Sequence, residues 1–290
     1  MSYKIAIASG KGGTGKTTVS LLLFQMLQHC FSEAVSLVDC DVEEPNGALF
    51  LKEKKTIKKE TAYQSIPEID LERCTFCKKC VSYCEFNAIT MVSSVKMAEV
   101  NESLCHSCGA CFYACNAGAL TEKQVPIGSL SCYDTEIGSF YEGRLKVGSV
   151  MQTRLIGELQ SFSNEEEGVI LYDAPPGTSC PVVETIHDVD YVVLVAEPTI
   201  FGLHDLKLMV ALVKELSLPC GVIINKSDWG NAPVEAYLQE QDIEVIGKIP
   251  YSKSFAQGYA SGDLLASLPD NIKEGLEDIA EHLKHKRVEQ

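Results

Sequence analysis

The chain has 290 residues, 46% of them hydrophobic and 22% charged, and a formal net charge of −15. This is the composition of an ordinary globular protein of about two domains, and its acidity argues against nucleic-acid binding and against docking on anionic lipid. It carries 13 cysteines, no signal-peptide pattern at Met1-Ser2-Tyr3-Lys4, and no apolar run near the ~20 residues that span a bilayer, so a cytoplasmic location without stable membrane insertion is expected, where disulfides are rare.

The run Tyr3-Lys4-Ile5-Ala6-Ile7-Ala8 predicts a short buried strand. Val19 to Cys30, with Leu22, Leu23, Met26 and Leu27 at helical spacing, predicts a helix. Between them Gly10-Lys11-Gly12-Gly13-Thr14-Gly15-Lys16-Thr17-Thr18 satisfies G-x-x-x-x-G-K-[ST], in the strand–loop–helix setting that motif requires. Its glycines let backbone N–H groups turn inward around phosphate oxygens. Lys16 then reaches the β/γ-phosphates and the Thr17 hydroxyl ligates Mg²⁺. The helix N-terminus adds its positive dipole end.

Lys11 is a second lysine inside the loop. The string Lys-Gly-Gly-Thr-Gly-Lys-Thr-Thr resembles the deviant Walker A motif of the MinD/ParA/Mrp/nitrogenase iron protein group of P-loop ATPases. The resemblance implies an ATP-dependent homodimer, with Lys11 crossing the interface to the partner's nucleotide. A second strand, Ala34 to Val38, ends in Asp39-Cys40-Asp41-Val42-Glu43-Glu44. Two carboxylates two apart at the carboxyl end of a strand can face one phosphate–Mg²⁺ region. The family likeness makes this switch I, with Asp41 orienting the hydrolytic water and Asp39 supporting Mg²⁺ through water. A plain polar loop is the alternative.

From Lys52 to Ser65 the α/β pattern lapses into a charge run, expected to be a solvated linker or hairpin. An internal repeat follows. Cys74-x2-Cys77-x2-Cys80-x3-Cys84 recurs as Cys105-x2-Cys108-x2-Cys111-x3-Cys115, every cysteine displaced by 31 positions. This is the spacing of the bacterial two-cluster ferredoxin, in which the fourth cysteine of each run crosses to the other cluster. The resemblance implies one 4Fe–4S cluster on Cys74, Cys77, Cys80 and Cys115, and a second on Cys105, Cys108, Cys111 and Cys84. The proline that follows the fourth cysteine in that motif is replaced by Glu85 and Asn116. Zinc, which also uses C-x2-C pairs, is the competing occupant.

Ile127 to Val147 predicts a β-hairpin, and Met151 to Phe162 a helix. The apolar strand Val169-Ile170-Leu171-Tyr172 runs into Asp173-Ala174-Pro175-Pro176-Gly177-Thr178, which resembles the family's Walker B and switch II. Asp173 is then expected to hold Mg²⁺ through water, and Gly177 to offer its N–H to the γ-phosphate. Cys180 follows at the offset at which the nitrogenase iron protein places a cluster ligand between subunits. A dimer-bridging metal site there stands against a buried structural thiol. Cys30 and Cys220 are expected to be buried small hydrophobes. Strands at Tyr191–Ala196, Gly221–Ile224 and Ile243–Ile249 alternate with a helix at Leu203–Leu216. The likeness places adenine on Asn225, Pro250 and Tyr251. The last helix, Asn271 to His285, has Ile272, Leu276, Ile279 and Leu283 on one face. It either packs on the sheet or targets a membrane surface.

The expected fold is α/β, a doubly wound, mostly parallel P-loop sheet formed by residues 1–65 and 125–290. A two-cluster ferredoxin domain is inserted at 66–124. ATP, Mg²⁺ and two 4Fe–4S clusters are the implied cofactors. Three functions stay open: an ATPase coupling nucleotide-dependent dimerisation to electron transfer, an Mrp-like iron–sulfur carrier, and a MinD/ParA-type regulatory ATPase using the ferredoxin as sensor or docking module. An unidentified redox or iron–sulfur protein partner is expected.

Overall fold

The computed structural model describes residues 2–164, 167–264 and 268–288. In chain order the elements are β1 (Tyr3–Ala8), α1 (Lys16–Cys30), β2 (Val35–Asp39), β3 (Lys54–Ile69), α2 (Lys79–Ser82), β4 (Ile89–Val92), β5 (Met97–Val100), α3 (Ala110–Ala114), β6 (Leu120–Thr135), β7 (Ser139–Leu145), α4 (Gln152–Ser163), β8 (Val169–Asp173), α5 (Cys180–Ile186), β9 (Tyr191–Ala196), α6 (Ile200–Glu215), β10 (Cys220–Asn225), α7 (Val234–Glu240), β11 (Glu244–Ile249), α8 (Lys253–Ala260) and α9 (Asp270–Val288). The contacts separate into two units. One comprises Met1–Lys59, Leu130–Arg144 and Ile156–Gln290; the other comprises Glu60–Ser129 and Leu145–Leu155.

The main sheet has the order β11-β10-β9-β1-β8-β2-β7-β6-β3. From β11 to β7 every pair is parallel. Its central strands read as unbroken apolar runs, such as Tyr-Val-Val-Leu-Val-Ala in β9, because helices cover both faces. β6 and β7 form a hairpin over Glu136–Gly138. There the Thr135 hydroxyl donates to the Gly138 carbonyl and accepts from the Ile137 and Gly138 N–H groups. Thr199 caps α6 by accepting from Gly202 N–H at 3.0 Å, and Ser252 caps α8 through Phe255 N–H at 3.2 Å. The apolar face of α9, Ile272, Leu276, Ile279 and Leu283, is buried in the core shared with α1 and β11. That burial removes the membrane-surface alternative for this helix. Among the described residues no helix is long and apolar enough to cross a membrane.

One sequence expectation changes. The charge run from Lys52 is neither linker nor hairpin: most of it forms the first half of β3, exposed as far as Thr61 except for the half-buried Lys58. β3 is the last strand of the sheet, and exposed lysines on an edge strand block edge-to-edge pairing. The second unit extends to either side of the cysteine segment. β3 and β6 run on beyond the cysteine segment as neighbouring strands, and Leu145–Leu155 joins them.

The second unit also contains the β4–β5 ribbon, Ile89 opposite Val100 and Val92 opposite Met97, with the one-turn helices α2 and α3. Its repeat is conformational as well as chemical. Phe76, Lys78 and Asn87 take left-handed φ values of 53°, 60° and 52°; Ser107, Gly109 and Gly118, 31 positions on, take 55°, 77° and 59°. Asp70 N–H donates to the Ala119 carbonyl and Asn101 N–H to that of Ala88, so each half is tied to the other by the same bond.

Candidate functional site

Five chain segments meet at the carboxyl edge of the parallel strands in the first unit. The P-loop follows β1; Asp39 ends β2 and Asp173 ends β8, directly opposite each other in register. Glu197 follows β9, and Asn225 ends β10. Open α/β sheets bind ligands at this edge. The loop turns through Gly13 and Gly15 at φ 81° and 88°, conformations that side-chain-bearing residues adopt with strain. α1 begins at Lys16, with Val19 N–H donating to the Gly15 carbonyl at 2.9 Å. Thr17 and Thr18 lie half-buried in this first turn, while Gly12 and Gly13 are exposed.

The acidic side is buried. Asp173 Oδ1 accepts the Ser20 hydroxyl at 2.9 Å and lies 3.9 Å from Lys16 Nζ; its Oδ2 is buried with no hydrogen-bond partner. Asp39 accepts from Asp41 N–H at 3.1 Å and from Gly47 N–H at 2.9 Å. Burial, and then the charge of Asp173, push the Asp39 carboxyl up to about 8. Burial raises Asp41 as well, opposed by Lys16. Two facing carboxylates with one orphaned oxygen suit a hydrated divalent cation, which supplies the missing positive charge and donors. Thr14 Oγ1 is also buried without a partner.

Some expected contacts are differently arranged. Gly177, at φ 97°, donates its N–H to the Ser9 carbonyl at 3.0 Å rather than presenting it freely. Asn225 reaches back to the P-loop, its Nδ2 donating to the Thr14 carbonyl at 2.7 Å. Pro250 is half-buried, and Tyr251 stacks on Trp229 with centroids 4.7 Å apart. Lys11 forms an ion pair with Glu197 at 3.6 Å, and Lys226 pairs with the other oxygen of the same carboxylate. Cys180, the first residue of α5, is an exposed thiol, not a buried one; Cys30 and Cys220 are only half-buried, and Cys132 is buried. Sequence reasoning passed over Ser20, Glu197 and Trp229. Glu197 carried a signal: it stands at the carboxyl end of a predicted central strand.

In the second unit the eight repeat cysteines line two cavities. One is lined by Cys74, Cys77, Cys80 and Cys115, with Ile69, Met91 and Leu120. The other is lined by Cys84, Cys105, Cys108 and Cys111, with Phe86, His106 and Ile89. Each cavity therefore takes three thiols from one half of the repeat and the fourth from the other half. The backbone donates to sulfur alike in both halves: Ala88 N–H to Cys84 Sγ at 3.3 Å, and Ala119 N–H to Cys115 Sγ at 3.4 Å. Phe76 N–H donates to Cys74 Sγ at 3.4 Å. Among the described residues no three His, Cys, Asp or Glu side chains converge closely enough to hold a single metal ion.

Residues 5–265 match the CobQ/CobB/MinD/ParA nucleotide binding domain. An uncharacterised protein of Methanocaldococcus jannaschii is 29% identical over 287 residues, covering 97% of this chain and 96% of its own. The iron-sulfur cluster carrier protein of Pyrococcus horikoshii is 22% identical, covering 86% of this chain and 74% of its own. Among solved structures, the cell division ATPase MinD of Pyrococcus furiosus superposes with a TM-score of 0.58 at 20% identity, over 98% of this chain and 99% of that one. MinD of P. horikoshii, complexed with Mg-ADP, gives 0.59 at 20% identity, over 98% and 96%. The chain belongs to the CobQ/CobB/MinD/ParA family of P-loop nucleotide-binding proteins.

Proposed function

We propose that this chain is an ATP-hydrolysing iron–sulfur protein that couples nucleotide-dependent dimerisation to electron transfer through two 4Fe–4S clusters in an inserted ferredoxin domain. The observation that carries the proposal is the pair of four-cysteine cavities. Their linings are the two crossed ligand sets implied by the repeat, residue for residue. A cube binds four thiolates on four separate irons, so its ligands surround a volume instead of converging on one point, as zinc would require. Backbone N–H donors to Cys74, Cys84 and Cys115 are the contacts that tune such sulfurs. When bound, the clusters supply one-electron chemistry.

In the nucleotide site, the P-loop amides and Lys16 would bind the phosphates, Thr17 would ligate Mg²⁺, and Asp39 and Asp173 would hold it through water. Asp41 orients the attacking water, and Asn225 with Pro250 and Tyr251 takes the base. Gly177 reaches the γ-phosphate by giving up its bond to Ser9. Lys11 exchanges Glu197 for the nucleotide of the second copy. A cluster-carrier role is the second reading, favoured by the similarity to the proteins named iron-sulfur cluster carrier. This chain has no C-x-x-C pair after the Walker B strand to hold a labile cluster, which ranks that reading second.

Iron analysis and spectroscopy of anaerobically purified protein test the proposal. About eight irons per chain and an absorption near 400 nm that bleaches with dithionite are expected. Stoichiometric zinc in protein isolated anaerobically from its native host would reject it.

A further inference from the structure

The two halves of the cysteine repeat share ligands and backbone but not charge. Arg73, Lys78 and Lys79 flank the exposed Cys77; their counterparts 31 positions on, around the exposed Cys108, are Leu104, Gly109 and Ala110. A fourth cation joins the first half. The turn after β4 is held to the Cys74–Cys77 loop by Ser93 Oγ donating to the Phe76 carbonyl at 3.0 Å, and it carries the exposed Lys96. All four cations are exposed, and none has a carboxylate within ion-pair distance among the described residues. Glu72, beside Arg73, is the nearest acid in sequence. The cavities themselves differ in sign: Lys79 is in the wall of the first and Glu122 in the wall of the second.

We infer that the mouth of the first cysteine cavity is the docking surface for a small acidic one-electron carrier protein. The inference rests on the cluster reading above. Concentrated positive charge beside this cavity, on a chain of net charge −15, steers and orients an acidic partner toward that mouth. The repeat supplies an internal control, because the same loop without lysine or arginine lines the second cavity. In the docked pair one electron leaves the reduced carrier and enters the oxidised cluster; the carrier is oxidised by one electron, the cluster reduced by one, and no bond is made or broken.

The test measures binding of a purified acidic flavodoxin to the anaerobic, iron-loaded full chain, and then stopped-flow reduction of the clusters by it. Binding is expected to weaken steadily with added salt. It should weaken by about tenfold or more in the Lys78→Glu/Lys79→Glu variant, chiefly through slower association. Lys253→Glu, an exposed site in the first unit, should bind as the unmodified chain does. Reduction by flavodoxin should slow in parallel, with iron content and reduction by dithionite unchanged. A salt-insensitive complex of the unmodified chain, or undiminished binding by the double variant, would overturn the docking surface and leave the clusters standing. A native anaerobic preparation without iron would overturn the cluster reading itself.

Discussion

The nucleotide unit and the cysteine unit hold their functional groups in opposite ways. In the first, Lys16, Asp39 and Asp173 project from the ends of a parallel sheet whose core includes Ile5, Ile7, Leu21, Phe24, Leu37 and Val193, each at most 1% exposed. Side chains of that size contribute about 1.5–3 kcal/mol each when fully buried, so the scaffold is stable whatever occupies the site. In the second, the small apolar clusters include the candidate ligands: Cys80 and Cys111 pack with Ile89 and Met91, and Cys105 with Ile66, Ala88 and Val125. Five non-glycine residues of its loops also sit at positive φ, Phe76, Lys78, Asn87, Lys96 and Ser107, a strain of order 1 kcal/mol or more apiece. One unit is built before it binds; in the other, on the cluster reading, binding would contribute to its stability.

The largest effect expected from that contrast is in the rigid unit. Lys16→Ala should weaken nucleotide binding by roughly 100-fold, since a charge-assisted bond to phosphate contributes about 1.5–3 kcal/mol. The fold should survive, as read by circular dichroism and by competition with a fluorescent nucleotide. Lys11→Ala should bind nucleotide as a monomer yet lose hydrolysis and the ATP-dependent dimer. Asp41→Ala should bind and dimerise but turn over slowly. In the cysteine unit a single ligand change should be felt structurally: Cys80→Ser should lower the iron from about eight to about four per chain and open residues 60–129 to limited proteolysis. Nucleotide binding should persist. Equal protease resistance with and without iron would break the comparison.

Smaller effects sharpen it. If the two units communicate, a non-hydrolysable ATP analogue must shift the cluster potential by the amount that reduction shifts nucleotide affinity. A coupling of about 1–3 kcal/mol corresponds to roughly 40–130 mV for one electron. Redox titrations with no nucleotide, ADP and the analogue would measure it, and identical potentials would make the cysteine unit an independent relay. The buried Asp39 predicts a pH dependence of the first unit. Asp39 lies near 8 in the folded chain because burial and Asp173 disfavour its charge, against 3.8 ordinarily. The folded state therefore binds more protons across that window, so stability falls as pH rises from about 4 to about 8. Thermal melts should show this decline without Mg²⁺, flatten in Asp39→Asn, and recover with Mg²⁺-ATP, which favours the ionised form of Asp39. The smallest effect expected is for Cys180→Ser. Unchanged iron content and dimerisation would assign this exposed thiol no bridging role.

The sequence by itself determined the local chemistry. Glycines at Gly13 and Gly15, an apolar strand before them and a helical apolar pattern after them define a phosphate loop, because only that order combines the turn with a helix N-terminus. The 31-residue cysteine repeat was equally legible, since ligand spacing is a local property of the chain. Tertiary structure decided what depends on distant neighbours. The charged Lys54–Lys59 segment became an edge strand because β6 lies beside it, which no periodicity in that segment encodes. Asp39 and Asp173, far apart in sequence, came to face each other through the parallel register of β2 and β8, and burial followed by repulsion from Asp173 raises the proton affinity of Asp39. Glu197 became the shared partner of Lys11 and Lys226 because β9 ends beside β1. Hydrophobic pattern and turn chemistry act over a few residues, whereas charge pairing and pKa shifts depend on which strands the folded sheet sets side by side.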